Sequence, residues 1–401
     1  MPDIVRVIES LGKLESPAIS VHAERCVVVR NRNAQCQKCA RACTSGAIAI
    51  DGNELSISPD ICIGCGTCAT VCPTAALEAQ HPNDAELLLR ASQVARERQQ
   101  LPLLACSQLL ESHKDGYDTG LVIELGCLAR LDESELVALI ALGMPKIVLA
   151  RADCAACPNK TGQETWELVG KTLDVLLASW GQANPVCVVE GLPAEVQRSA
   201  KEAQSQSSSA VFGMSRRDFF TQIKTGALSV ASDMAGSTVL SETPAPQETT
   251  TIHKVMKDGT LPHFIPSRRE RLLDHLDRIG SPVEETIDTR LWGYARIDPE
   301  LCNSCRMCAT FCPTGAIYKF DDSDGTFGVE HYPADCVQCR LCQDICPTSA
   351  LVISSEVALK QLVEGTIERH EMRPVKSEPG RPDSIYRAMY DLLGGGQIYE
   401  R

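Results

Sequence analysis

The feature that most constrains this chain is a cysteine pattern written three times. "LCNSCRMCATFCPTG", starting at Leu301, places Cys302, Cys305, Cys308 and Cys312 and follows the last with proline. "DCVQCRLCQDICPTS" repeats it with Cys336, Cys339, Cys342 and Cys346, and "DICIGCGTCATVCPTA" sets Cys62, Cys65, Cys68 and Cys72 the same way. A cysteine at every third residue of a tight loop points three thiols at one centre. The loop cannot easily close on itself with a fourth, so separate loops must meet around something that binds sulfur.

Cysteine makes up 21 of 401 residues, and an odd count rules out complete intramolecular disulfide pairing. The first 25 residues hold no basic segment followed by a continuous apolar run. No stretch offers the ~18 uncharged apolar residues of a membrane span. The chain is therefore expected to be cytoplasmic, without membrane insertion. In a reducing compartment, clustered cysteines read as metal ligands rather than disulfides. A net charge of -13 argues against nucleic acid, whose phosphates need a basic surface, and suits a basic partner, although a merely solubilising surface would look the same.

The chain divides into cysteine-dense or alternating blocks separated by polar sequence. Residues 1–80 carry eight cysteines. Residues 100–200 alternate apolar runs ("LPLLA", "GLVIEL", "KIVLA", "PVCVVE"), read as buried strands, with helical patterns ("DESELVALIALG", "TWELVGKTLDVLLASW"). That alternation favours a small parallel sheet with helices packed on it. Residues 201–289 read as linker and helix, with loose stretches at Lys201–Ala210 and Ser241–Thr251. Residues 290–355 hold eight more cysteines, and 356–401 form a tail with helical pieces. "AIYKFDDSDGTFGVEHYP" between the two C-terminal runs reads as a hairpin.

At the cysteine runs the sequence resembles the bacterial two-cluster 4Fe-4S ferredoxins, in which the fourth cysteine of C-x2-C-x2-C-x3-C-P ligates the other cluster of the pair. The resemblance implies one C-terminal cluster on Cys302, Cys305, Cys308 and Cys346, and its neighbour on Cys336, Cys339, Cys342 and Cys312. The N-terminal pair departs from the pattern. Asn33 stands where a first cysteine belongs, and Thr44 replaces the proline. Cys26 is the substitute, giving one cluster on Cys26, Cys36, Cys39 and Cys72 and the other on Cys62, Cys65, Cys68 and Cys43. Alternatives are a three-iron cluster or a lost site with Cys26 idle, and, for the runs in general, zinc.

In the middle block, Cys106, Cys127, Cys154 and Cys157 fall at the ends of the expected strands. The carboxyl ends of parallel strands share one edge, where distant residues meet. "ACS", "ELGC" and "VLARADCAAC" before "PNKTG" resemble the iron-sulfur delta subunit of methyl-viologen-reducing hydrogenases. This implies an α/β domain binding a 2Fe-2S cluster on these four thiols. That family commonly has a second cysteine near the first, and only Cys106 stands there. Zinc, a Cys154–Cys157 redox disulfide or unpaired thiols remain as alternatives. Cys187, between valines, reads as a small core residue.

The expected architecture is α+β and α/β multidomain: two ferredoxin-like two-cluster modules flanking a small parallel α/β domain. The expected function is an electron-transfer polyferredoxin with four 4Fe-4S clusters and one 2Fe-2S cluster, relaying electrons between redox proteins. It either works alone or is the iron-sulfur subunit of a larger hydrogenase-linked or heterodisulfide-reductase-like complex; cluster storage is a weaker third reading. No dinucleotide or Walker glycine loop and no C-x3-C-x2-C run suggests catalysis. "SRRDFF" after Met214 resembles a twin-arginine export signal, with a plain amphipathic helix as the preferred reading. Lys38, Arg41, Arg306 and Arg340 stand inside the cysteine runs, where they either raise cluster potentials or form a solvated surface. "PSRRERLLDHLDRIG" is a helix that either docks a partner or covers the domains.

Overall fold

One β-α-β-β-α-β pattern occurs twice. The computed structural model describes residues 18–113, 116–197, 255–256 and 258–373. In the first copy, β1 (Ile19–Val21) is followed by helices α1 (Val27–Arg30) and α2 (Lys38–Ala42), the β2–β3 hairpin (Ile48–Asp51, Glu54–Ile57), α3 (Thr67–Val71) and β4 (Leu77–Ala79). β1 pairs antiparallel with β4, Ile19 opposite Ala79, and β2 pairs with β3. The hairpin turns on Gly52 and Asn53, with Gly52 at φ +57°, a value only glycine adopts without cost.

Helix α4 (Asp84–Arg98) then leads into β5 (Leu103–Cys106), α5 (Ser107–His113), β6 (Val122–Leu125), α6 (Glu133–Ala141), β7 (Ile147–Arg151), α7 (Gly162–Ser179) and β8 (Val186–Glu190). The four strands form one parallel sheet in the order β6-β5-β7-β8. β5, Leu-Leu-Ala-Cys, is buried throughout, as a central strand covered on both faces must be. "PVCVVE" is not a buried strand. β8 pairs on one side only, Val188 is exposed, and Cys187 is half-buried on this edge rather than in the core.

Helix α8 (Ser267–Ile279) packs along α6 and puts Leu272 and Leu276 into the core of the parallel sheet. Burying each contributes about 2 kcal/mol. "PSRRERLLDHLDRIG" thus covers the middle of the molecule. The second copy of the pattern begins after β9 (Thr286–Asp288). It comprises β10 (Tyr294–Ile297), α9 (Met307–Phe311), β11 (Ile317–Asp321), β12 (Phe327–His331), α10 (Leu341–Asp344) and β13 (Leu351–Ser354). β10 pairs with β13 and β11 with β12, repeating the first copy and forming the expected hairpin. β14 (Glu356–Ala358) pairs with β9, α11 (Leu359–Val363) follows, and β15 (Glu368–Glu371) adds to β12.

The two loose linkers, the "SRRDFF" motif and the part of the C-terminal tail after residue 373 lie outside the described residues. Among the described residues no helix is long and apolar enough to cross a membrane.

Candidate metal centres

Each centre starts from loop conformation. In three of the four cysteine runs, the residues on both sides of the second cysteine take left-handed backbone angles: Gly64 and Gly66 at φ +67° and +78°, Ser304 and Arg306 at +60° and +54°, Gln338 and Arg340 at +54° and +63°. Side chains other than glycine pay for that conformation, and such strain concentrates at functional loops. Gln338 is held there by its own amide, which donates to the Thr289 and Trp292 carbonyls at 2.9 and 2.7 Å. Around Cys36 neither Gln35 nor Gln37 has a positive φ, so this loop departs from the others in shape as it does in sequence.

The loops then meet in pairs. Cys26, Cys36, Cys39 and Cys72 line one cavity, walled by Leu55 and Leu77. Cys302, Cys305, Cys308 and Cys346 line another, together with Cys342 and walled by Ile297 and Met307. Cys65 lies within electrostatic reach of Cys43 and Cys62, and Cys68 of all three. Cys336, Cys339 and Cys342 each lie within reach of Cys312. Cys26 comes into place at the start of α1, whose Val27, Val28 and Val29 are buried. Among the described residues no three Cys, His, Asp or Glu side chains are grouped as a single metal ion would need. The thiols surround cavities instead, which suits a multi-iron cluster better than one zinc at about 2.3 Å from each sulfur.

Burial, reinforced by neighbouring thiols, pushes Cys39 up to about 12. Burial also lifts Cys336 to about 12, with Cys312 adding to it. Thiols that oppose one another's ionisation in this way ionise together only around a positive centre, which fits the implied clusters. Two fourth cysteines run the other way. Burial raises Cys43, but the Ser45 hydroxyl and the N–H groups of Ala47, Ile48 and Gly46 outweigh it and bring it below the ordinary thiol value. Cys346 is lowered likewise, burial being outweighed by the Thr348 and Ala350 N–H groups and the Thr348 hydroxyl. A hydroxyl stands beside the fourth cysteine of every run: Cys43, Cys72, Cys312 and Cys346 face hydroxyls of Ser45, Thr74, Thr314 and Thr348 at 3.5, 3.7, 3.8 and 3.8 Å. Sequence reasoning missed these hydroxyls, although C-x-[S/T] was there to be read.

In the middle sheet, Cys106 ends β5, Cys127 follows β6, and Cys154 and Cys157 follow β7. All four line one pocket with Gly126, Asn159 and Trp166. β5 and β7 are the strands between which the chain reverses its order of travel, the place where α/β sheets bind ligands. The Ala152 N–H donates to Cys106 Sγ at 3.4 Å. Burial pushes Cys127 up to about 11 against the amide of Asn159, which bonds its sulfur. A Cβ on Gly162 would stand 2.8 Å from Cys127 Sγ, so that position has no room for a side chain.

A polar bridge joins this pocket to the N-terminal loops. Thr67 donates to Cys65 Sγ at 3.3 Å, and Asn159 donates to Thr67 at 3.4 Å. Thr44, standing where proline was expected, donates to Asn159 Oδ1 at 3.0 Å and accepts from the Thr161 N–H at 3.1 Å. A proline there could do neither, so the departure is itself a contact. Backbones also touch: a Cβ on Gly126 would lie 2.5 Å from the Gly64 carbonyl.

Comparison with known proteins finds matches to two of the cysteine-rich stretches. Residues 294–350 match the 4Fe-4S dicluster domain family, and residues 55–78 match the 4Fe-4S binding domain family. An uncharacterized ferredoxin of Methanocaldococcus jannaschii is 34% identical over 50 residues, which are 12% of this chain and 81% of that protein. The chain belongs to the ferredoxin family: it carries two 4Fe-4S ferredoxin-type domains and is an iron-sulfur electron carrier.

Proposed function

We propose that the chain is a polyferredoxin with five centres, which relays electrons between redox proteins. Four are 4Fe-4S sites: Cys26, Cys36, Cys39 and Cys72; Cys62, Cys65, Cys68 and Cys43; Cys302, Cys305, Cys308 and Cys346; Cys336, Cys339, Cys342 and Cys312. The fifth is a 2Fe-2S site on Cys106, Cys127, Cys154 and Cys157. The observation that carries this reading is that single cavities gather three cysteines of one run with the fourth of its partner run. Clusters of this kind, when bound, take up and return single electrons.

The chain's own residues string the five sets in one order. Cys127 lies within electrostatic reach of Cys65, and Cys68 of Cys39. Lys38 stands beside both Cys36 and Cys339, and Cys342 lies within reach of Cys308. The order therefore runs from the middle pocket through both N-terminal sets to the Cys336 set and ends at the Cys302 set. No residue is assigned a catalytic role.

Anaerobically purified protein is expected to carry about 18 iron atoms with matching sulfide, four sets of four and one of two. EPR of the reduced chain should resolve both cluster types. Cys26→Ala should lose about four irons, and an unchanged iron count would return Cys26 to an idle thiol. Colourless protein holding zinc without sulfide would sink the whole reading. The four strand-end cysteines line one pocket, and this observation supports a second form of the proposal. In that form the chain is the iron-sulfur subunit of a larger oxidoreductase, and a flavoprotein or nickel subunit should co-purify.

A further inference from the structure

We propose that a cavity where the N-terminal module, helix α7 and helix α8 meet binds a phosphate group, free or carried by a small molecule. The cavity, about 330 Å3, is lined by Lys38 and Arg41 of α2, Thr161 and Thr165 at the start of α7, Arg269 of α8, and Arg290. Glu164 is the one acidic residue on its wall. Two of the cations have other commitments. Arg290 holds the buried Glu133 carboxylate through two bonds of 2.9 and 2.7 Å, and Lys38 also faces the Cys36 and Cys339 thiols.

Arg269 has none. It is 6% exposed, its Nε is buried without a hydrogen-bond partner, and no ion pair reaches its guanidinium among the described residues. The nearest carboxylates are taken, Glu133 by Arg290 and Asp132 by Arg268 at 3.2 Å. Burial, with the Arg268 and Arg290 charges adding to it, drags Arg269 down to about 9. A largely buried guanidinium with an unpartnered Nε and no ion-pair partner is costly, and an anion in the cavity offsets that cost. The Thr161 hydroxyl already donates to the Ala42 carbonyl at 2.6 Å, so the donor set offered to a tetrahedral oxyanion is forked guanidinium groups, an ammonium and the Thr165 hydroxyl. The volume exceeds that of bare phosphate and leaves space for the rest of an ester.

The test uses the full chain, anaerobic and cluster-loaded, with inorganic phosphate and adenosine monophosphate as probes in equilibrium dialysis and thermal melting. Saturable binding of one phosphate group per chain is expected, with a higher melting temperature when it is bound. Tighter binding of the nucleotide would identify an ester as the source, and equal binding would identify free phosphate. Arg269→Met should weaken binding at least about tenfold and Arg41→Gln about threefold. In phosphate-free buffer Arg269→Met should melt no lower than the parent, because it removes an unpaired charge; a merely structural arginine would give the opposite. No saturable binding of either probe, or unchanged affinity in Arg269→Met, overturns the proposal. If Arg269→Met fails to load iron, the exposed Arg41→Gln decides, and unchanged affinity there overturns it.

Discussion

Arg306 and Lys38 look alike in the sequence, each one residue from a ligand-type cysteine, yet their surroundings differ. The Arg306 guanidinium lies on both oxygens of Asp321, at 2.9 and 2.8 Å, so its charge is largely cancelled. Lys38 is within reach of Cys36 in one module and Cys339 in the other. A positive charge favours the reduced, more negative state of a neighbouring centre. Lys38→Met is therefore expected to lower two midpoint potentials together, by on the order of 20–50 mV, since solvent screens an exposed ammonium. Arg306→Ala should move none by more than about 10 mV. Redox titration followed by EPR reads both, and the reverse ranking would refute the argument. That the cysteines of paired runs line common cavities was legible at this scale because spacing encodes it. The left-handed angles at Ser304, Arg306, Gln338 and Arg340 were not, because nothing in those residue types asks for a positive φ; Gly64 and Gly66 gave the only hint.

Strands were legible where their burial was two-sided, as in β5, or where a turn marked them, as between β11 and β12. They were misjudged at β8, whose valines look like core until the order of the sheet makes it an edge. His331 in β12 is another element-level surprise. It is fully buried, neither ring nitrogen has a partner, and Tyr294 of β10 meets its ring edge-on at 5.9 Å. Burial, helped by the charge of His370 on β15, pulls it down to about 3. The folded state thus keeps His331 neutral while the unfolded chain protonates it near its ordinary value of about 6.5. The unfolded state binds the extra proton, so stability is lost as pH falls from about 6.5 toward 3. The slope is at most about 1.4 kcal/mol per pH unit. His331→Leu should flatten this acid limb in denaturant titrations between pH 7 and 5. Acid lability of the clusters is common to both proteins and drops out of the difference, so an unchanged slope would discard the explanation.

At the scale of the molecule, the sequence suggested separate blocks on linkers, and the described residues form something more continuous. Leu341 and Ile345 of the C-terminal pattern share a hydrophobic cluster with Cys26, Val27 and Leu77 of the N-terminal one. Gln35 donates its N–H to Asp344 Oδ2 at 3.0 Å. Arg30 closes the join. Only 5% exposed, it donates to the carbonyls of Phe311 at 3.2 Å, Pro262 at 2.9 Å, Cys312 at 3.2 Å and Glu24 at 3.2 Å. None of this was legible, because a contact between residues some 280 positions apart leaves no local signature. "VVVR" reads simply as the end of an apolar run. An arginine so placed satisfies four carbonyls at a buried or part-buried join, and Met in its position would fill similar volume but donate nothing. Arg30→Met is expected to cost about 3 kcal/mol, the penalty for several buried acceptors losing their donor offset by the relief of a buried charge. The exposed neighbour Arg32→Met should stay within about 0.5 kcal/mol of the parent. Because Arg30 ties the Cys312 backbone to the other module, Arg30→Met should also release iron faster from the chain under mild denaturant than Arg32→Met does. Equal midpoints and equal iron loss in the two variants would mean that the modules hold together without it.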